Sequence, residues 1–263
     1  MKLLVRAETR KLMQTRVLWL LALLTLAVLA VYAYQYTLNA ESGVMLEEFR
    51  RASVLSSALL LAYASVYSIP LSVTAGSLAI GQEYSNSTQG SLVVTAGRIK
   101  PIVAKAVAVL LLSSVSTVAV LAFGVLWGAF VGRGLDGFEP ARVVMQLVVT
   151  LGVSFSMALI AMAVASLARS TVKSVVVCLL VAVAILTVVA NALPWSMRLL
   201  PVFAWTSSVA RWFDNLDAVH GALEVYVPSG VPLGGAAVVQ IVAYIVIALA
   251  VQLAIAQWRD TPE

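Results

Sequence analysis

Between Gly81 and Lys105 the chain reads GQEYSNSTQGSLVVTAGRIKPIVAK, and its chemistry-bearing side chains gather there. The stretch holds one carboxylate, Glu83, a Ser/Thr/Asn cluster, three glycines and the cations Arg98, Lys100 and Lys105. Apolar runs flank it on both sides. No nucleophile–base pair can be placed beside Glu83, but a carboxylate there can cap an orphan N–H or pair with a cation on a partner. Leu92, Val93 and Val94 fit a short apolar helix, roughly 88–95, that can enter a cleft on another protein. The three cations can bind lipid phosphate, hold the turn or meet acidic partner residues; alternatively they only obey the rule that cytoplasmic loops are basic. The chemistry on offer is recognition.

Elsewhere the motifs of catalysis are missing. No lysine follows a glycine, so the chain has no GxxxxGK[ST] phosphate cradle, and nucleotide hydrolysis is not expected in it. It has no GxSxG. A single histidine, His220, excludes multi-His metal sites such as HExxH. With one cysteine, Cys178, no internal disulfide can form. Asp214 and Asp217 lack the further oxygen ligands a cation requires. Asn86-Ser87-Thr88 matches a glycosylation sequon, which is silent on a cytoplasmic loop. No cofactor is expected in this chain.

The elements that must position the central stretch are apolar helices. The sequence is 62% hydrophobic and 11% charged, with a mean hydropathy of +1.00. Soluble domains carry about 25% charged residues, so an integral membrane protein is expected, and the net charge of +5 reads as loop cations rather than a nucleic-acid surface. Runs of about 20 apolar residues mark spans. They predict an all-α, polytopic fold of six transmembrane helices at 17–38, 54–80, 102–132, 142–168, 174–193 and 235–257, forming one permease-like domain over 1–263. The third run is longer than the bilayer core and must tilt, bend or project. With the N-terminus inside, cytoplasmic segments hold 11 cations and outer segments 6, which predicts both termini in the cytoplasm of a multi-pass plasma-membrane protein.

Residues 1–16 carry Lys2, Arg6 and Arg10 at i, i+4 spacing, then Arg16, with Trp19 at the expected aromatic belt. Two readings stand: an interfacial elbow helix on the cytoplasmic leaflet, or a basic flank that only sets topology. Leu3, Leu4, Val5, Leu12 and Met13 do not gather on one face. The first apolar run exceeds a signal-peptide core, so an uncleaved helix is expected, although Ala30-Val31-Tyr32-Ala33 resembles a cleavage site. In the second run Ser65, Ser68 and Ser72 share a face with Pro70 among them. In the third, Gly124, Gly128 and Gly132 form a doubled GxxxG. Close helix packing is the favoured reading of both, with a polar substrate path as the alternative for the serines. No span has a charged residue near its middle, which argues against an ion-coupled carrier. The outer segment 194–234 mixes Trp195, Phe203, Trp205, Trp212 and Phe213 with prolines and charges, as short re-entrant helices would.

The central stretch resembles the cytoplasmic loop of export-type (type-2) permeases of ATP-binding-cassette transporters. In that family span two ends in Gly-x-Glu, followed by a Gly-Thr step, a short apolar helix, a Pro or basic turn and a lysine opening span three. Gly81-Gln82-Glu83-Tyr84 matches the first part, Thr88 the threonine, Leu92-Val93-Val94 the helix, Arg98 and Lys100 the turn, and Ala104-Lys105 the entry to span three. Ser87 departs from the family's glycine, and Ala96 or Gly97 from its proline, with Pro101 arriving later. The resemblance implies that 81–101 is a coupling loop in which Gly81, Glu83, Tyr84, Thr88, Leu92, Val93 and Arg98 meet a separate ATPase subunit. It implies further that ATP and Mg are bound on that partner, and that the permease pairs with an identical or a second permease chain. The expected function is export driven by the partner's ATP hydrolysis. The alternatives are an ATP-independent carrier or channel, or an intramembrane enzyme.

Overall fold

Apolar residues of good helix propensity, with prolines confined to first turns, build helices throughout the part of the chain that the computed structural model describes: residues 1–41, 68–85, 99–131, 140–184 and 235–258. The elements are α1 (Lys2–Met13), α2 (Arg16–Glu41), α3 (Ser68–Ser85), α4 (Ile99–Val131), α5 (Pro140–Ala168), α6 (Thr171–Ala184) and α7 (Gly235–Trp258). Pro140 opens α5, and Pro101 lies in the first turn of α4, where a missing N–H costs nothing. The gap between the expected spans 142–168 and 174–193 narrows to Arg169 and Ser170. Arg169 ends α5 in the left-handed region, with φ 49°, and the Ser170 carbonyl accepts from Ser174 N to start α6.

The bundle is organised around α3 and α5, which make its most extensive contact. α3 is buried along nearly its whole length, from Ser68 to Gly81. α4 and α6 also pack on both α3 and α5, while α7 lies on α5. The core joins Ala75, Leu78 and Ala79 of α3 to Val109 of α4 and to Leu159 and Met162 of α5. Two close approaches bring α3 against its neighbours. A Cβ on Gly76 would strike the Ala158 carbonyl of α5, and one on Gly81 would strike Thr171 of α6. The serine stripe does pack helices: Ser68 and Ser154 hydroxyls are 2.9 Å apart, and Ser72 donates back to the Ser68 carbonyl at 3.1 Å. Ser77 similarly meets Ser174 of α6 at 2.9 Å.

The expectation of six transmembrane helices is not met. Among the described residues, two helices are long and apolar enough to cross a membrane, Ile99–Phe123 and Leu147–Ala168. A third is reached only if α1 and the following Arg16–Val31, bent by 61°, count as one broken span. The physical reasons differ by helix. α3 has 18 residues and carries Ser72, Thr74, Ser77, Gln82 and Glu83, whose polar groups are covered by protein rather than lipid. α6 has 14 residues, about 21 Å at 1.5 Å per residue, and the apolar part of α7 is Ile241–Ile255. Among the described residues, neither stretch reaches the length needed to cross a hydrocarbon core of about 30 Å. The first part of the run at 54–80, the end of that at 174–193, and the re-entrant segment 194–234 lie outside the described residues.

Candidate functional site: a buried ionic cluster

α1 lies against α4 and touches α3, and this placement brings four charged side chains together. Glu8 is buried on α1, one turn before Lys11, while Lys2, Arg6 and Arg10 stay exposed. α3 contributes Glu83 from its last turn and α4 contributes Lys105 from its second. Lys105 Nζ stands 2.8 Å from Glu83 Oε1, and Lys11 Nζ stands 3.3 Å from the same oxygen. Lys105 and Lys11 each lie 3.9 Å from a Glu8 carboxylate oxygen. Lys105 and Glu83 are 4% and 3% exposed, so their pairing is what makes their burial tolerable. Two carboxylates and two ammonium groups balance one another.

The two acids are not equivalent. Glu83 Oε1 receives both lysines, whereas Glu8 Oε2 has no hydrogen-bond partner. Burial pushes the Glu8 carboxyl above its ordinary value of 4.5; Lys105 and Lys11 oppose the shift, and the nearby Glu83 adds to it. Polar contacts at the α1–α2 joint hold α1 in place. Gln82 of α3 donates to Thr15 Oγ1 at 3.2 Å, Thr15 donates to the Lys11 carbonyl at 3.1 Å, and the Trp19 indole donates to the Met13 carbonyl at 2.7 Å. The last bond satisfies a carbonyl that the end of α1 would otherwise leave open.

This arrangement is a clamp that fastens three helices at one end of the bundle. Its members Glu83 and Lys105 bracket residues 86–98, so the last turn of α3 and the opening turns of α4 are pinned to each other and to α1.

Of the residues singled out in the sequence, Gly81, Glu83 and Tyr84 fall on the last turns of α3. Glu83 turns inward to Lys11 and Lys105 of its own chain. Tyr84 packs partly buried against the core. Thr88, Leu92, Val93 and Arg98 lie outside the described residues, as does Gly132. Gly124 and Gly128 are on α4. Lys2, Arg6, Arg10, Arg16 and Trp19 are exposed on α1 and early α2, so the first two turns of elbow cations do not join the cluster. Asp214, Asp217 and His220 are outside the described residues. Sequence reading missed Glu8 and Lys11. The one available signal was a lone carboxylate in an otherwise basic segment, placed three residues before a lysine.

A helical protein with exposed apolar flanks is the class these features define: Val17, Leu20, Leu23 and Leu24 on α2, and Val246 and Ile247 on α7, stand open on the surface. Such flanks, with helices of membrane-crossing length, are those of a membrane-associated protein. No family model matches the chain, and no curated protein matches its sequence. Among the described residues there are two candidate spans, or three with the bent pair, which is not the six-span architecture of the export-type permeases, and the resemblance drawn from 81–105 is set aside as an assignment of family.

Proposed function

We propose that the protein is the membrane subunit of an ATP-powered exporter, worked by a separate P-loop ATPase that docks on residues 86–98. The observation that carries this reading is the clamp: Glu83 and Lys105, immediately flanking that segment, are joined at 2.8 Å in a buried site that also holds α1. A rigid anchor at both ends of a docking segment is what mechanical coupling requires, because a loosely held segment would absorb the partner's motion. The apolar Leu92 and Val93 supply the contact with the ATPase, and Arg98 a polar one. ATP and Mg belong to that partner, and this chain does no catalysis. In this reading both termini and 86–98 face the cytoplasm of a plasma-membrane protein, and a second copy or a second permease chain completes the substrate path.

The test is co-purification from the native membrane. A tagged wild-type chain is expected to bring down a P-loop ATPase, and Leu92→Asp to lose it. Wild-type chain free of any ATPase, or Leu92→Asp chain that retains it, contradicts the proposal. A second reading, an ATP-independent carrier, is favoured by Glu8, a buried acid held above its ordinary pKa beside another carboxylate. Solute movement by the purified chain alone in sealed vesicles selects that reading.

A further inference from the structure

Next to the ionic cluster a cavity of about 210 Å3 opens between the α1–α2 joint, α3 and α4. It exceeds the roughly 150 Å3 apolar cavity that suffices to bind benzene. Its walls are apolar, with Leu12 and Trp19 at the joint, Leu26 further along α2, Leu71 from α3 and Val120 from α4. Along α4 the wall extends from Leu112 to Val120, about 12 Å at 1.5 Å per residue, so the space is longer than one side chain. Trp19 and Val115, both in the wall, are 54% and 64% exposed, which opens the cavity sideways onto the apolar flank of α2 and α4. Ser113 also lines it. This residue is 1% exposed, and its hydroxyl is closed off behind the apolar wall.

At the α1–α2 joint, Arg16 falls in the chain between the lining residues Met13 and Trp19 and is exposed, as is Arg10 two residues before Leu12, whereas Glu8 is buried and faces lysines. We propose that the cavity binds one acyl chain of an anionic phospholipid, entering from the bilayer between α2 and α4 with its headgroup against the cations of the α1–α2 joint. Apolar walls take the chain, the lateral opening admits it, and the cations select a negative head over a zwitterionic one. This site is independent of the transport reading, since it requires only that the protein sit in a membrane.

Trp19 is a built-in reporter. Quenching of its fluorescence, taken as the difference between wild type and Trp19→Phe, is measured for the full chain in nanodiscs containing acyl-brominated phosphatidylglycerol or acyl-brominated phosphatidylcholine. Phosphatidylglycerol is expected to quench more strongly. Ala119→Phe and Ala22→Phe fill the cavity from opposite walls, and each is expected to weaken the phosphatidylglycerol effect by about tenfold in apparent affinity. Two variants are used because one filled wall alone can disturb folding, and the variant that elutes as the wild type does by size-exclusion chromatography decides. Equal quenching by the two lipids overturns the proposal, as does undiminished quenching in that filled variant.

Discussion

Lys105 is the residue with most to lose. It sits at 4% exposure, with Glu83 at 2.8 Å and Glu8 at 3.9 Å. Glu83→Ala strands that ammonium in the protein interior and is expected to lower stability by about 3–5 kcal/mol. The pair replaced together, Glu83→Leu with Lys105→Met, removes both charges and is expected to recover most of the loss, as read from thermal unfolding in detergent micelles. Glu8 makes a different prediction. Its folded pKa lies above the ordinary 4.5, so between that value and the raised one the folded state holds a proton that the unfolded chain has released. Stability therefore falls as pH rises through this window, and the contribution is fully present below it. Glu8→Gln cannot titrate, and its unfolding is expected to show a flatter pH dependence above 4.5 than the wild type. An identical slope would remove Glu8 as the source. These pairings were only half legible in the sequence. Glu83 and Lys105 stood out by type, but nothing local shows that residues so far apart along the chain meet. Glu8 was hidden among cations that set the character of its segment.

At the scale of elements, the close approach of α3 to α5 is the feature most open to test. Gly76→Ala drives a Cβ into the backbone carbonyl of Ala158, which cannot turn aside, so the two helices must part. A loss of about 1–3 kcal/mol is expected. Gly152→Ala meets only the Ile241 side chain, Cγ2 at 2.8 Å, which can change rotamer, and is expected to cost less. Melting temperatures of the two variants in one detergent decide, and equal shifts would contradict this picture of α3 packing. Helix positions were readable as apolar runs: α5 falls within two residues of its expected start and ends at the expected residue, and α6 begins three residues before its expected start. Span number was not. Hydropathy sums cannot distinguish a helix covered by lipid from one covered by protein, and α3, with its serines and threonines paired or enclosed by neighbours, belongs to the second kind. The packing glycines also differ from those the GxxxG pattern brought forward, because Gly76 and Gly81 carry no such spacing.

For the whole molecule, the ionic clamp ties α1 to the two helices that flank residues 86–98, at one end of a bundle whose flanks are apolar. If that segment receives a partner's motion, the clamp passes it to α3 and α4, and through α3 to α5. Docking and transmission should then be separable, because Leu92 serves the first and the Glu83–Lys105 pair the second. The most direct measurement is the ATP hydrolysis rate of the complex carrying Glu83→Leu with Lys105→Met, compared with wild-type complex and free ATPase. The ATPase is expected still to co-purify. Its rate should depart from that of the wild-type complex by at least about fivefold, the lower end of a typical coupling energy, and approach that of the free ATPase. A double variant whose complex hydrolyses ATP at the wild-type rate would contradict the claim that the clamp carries the coupling.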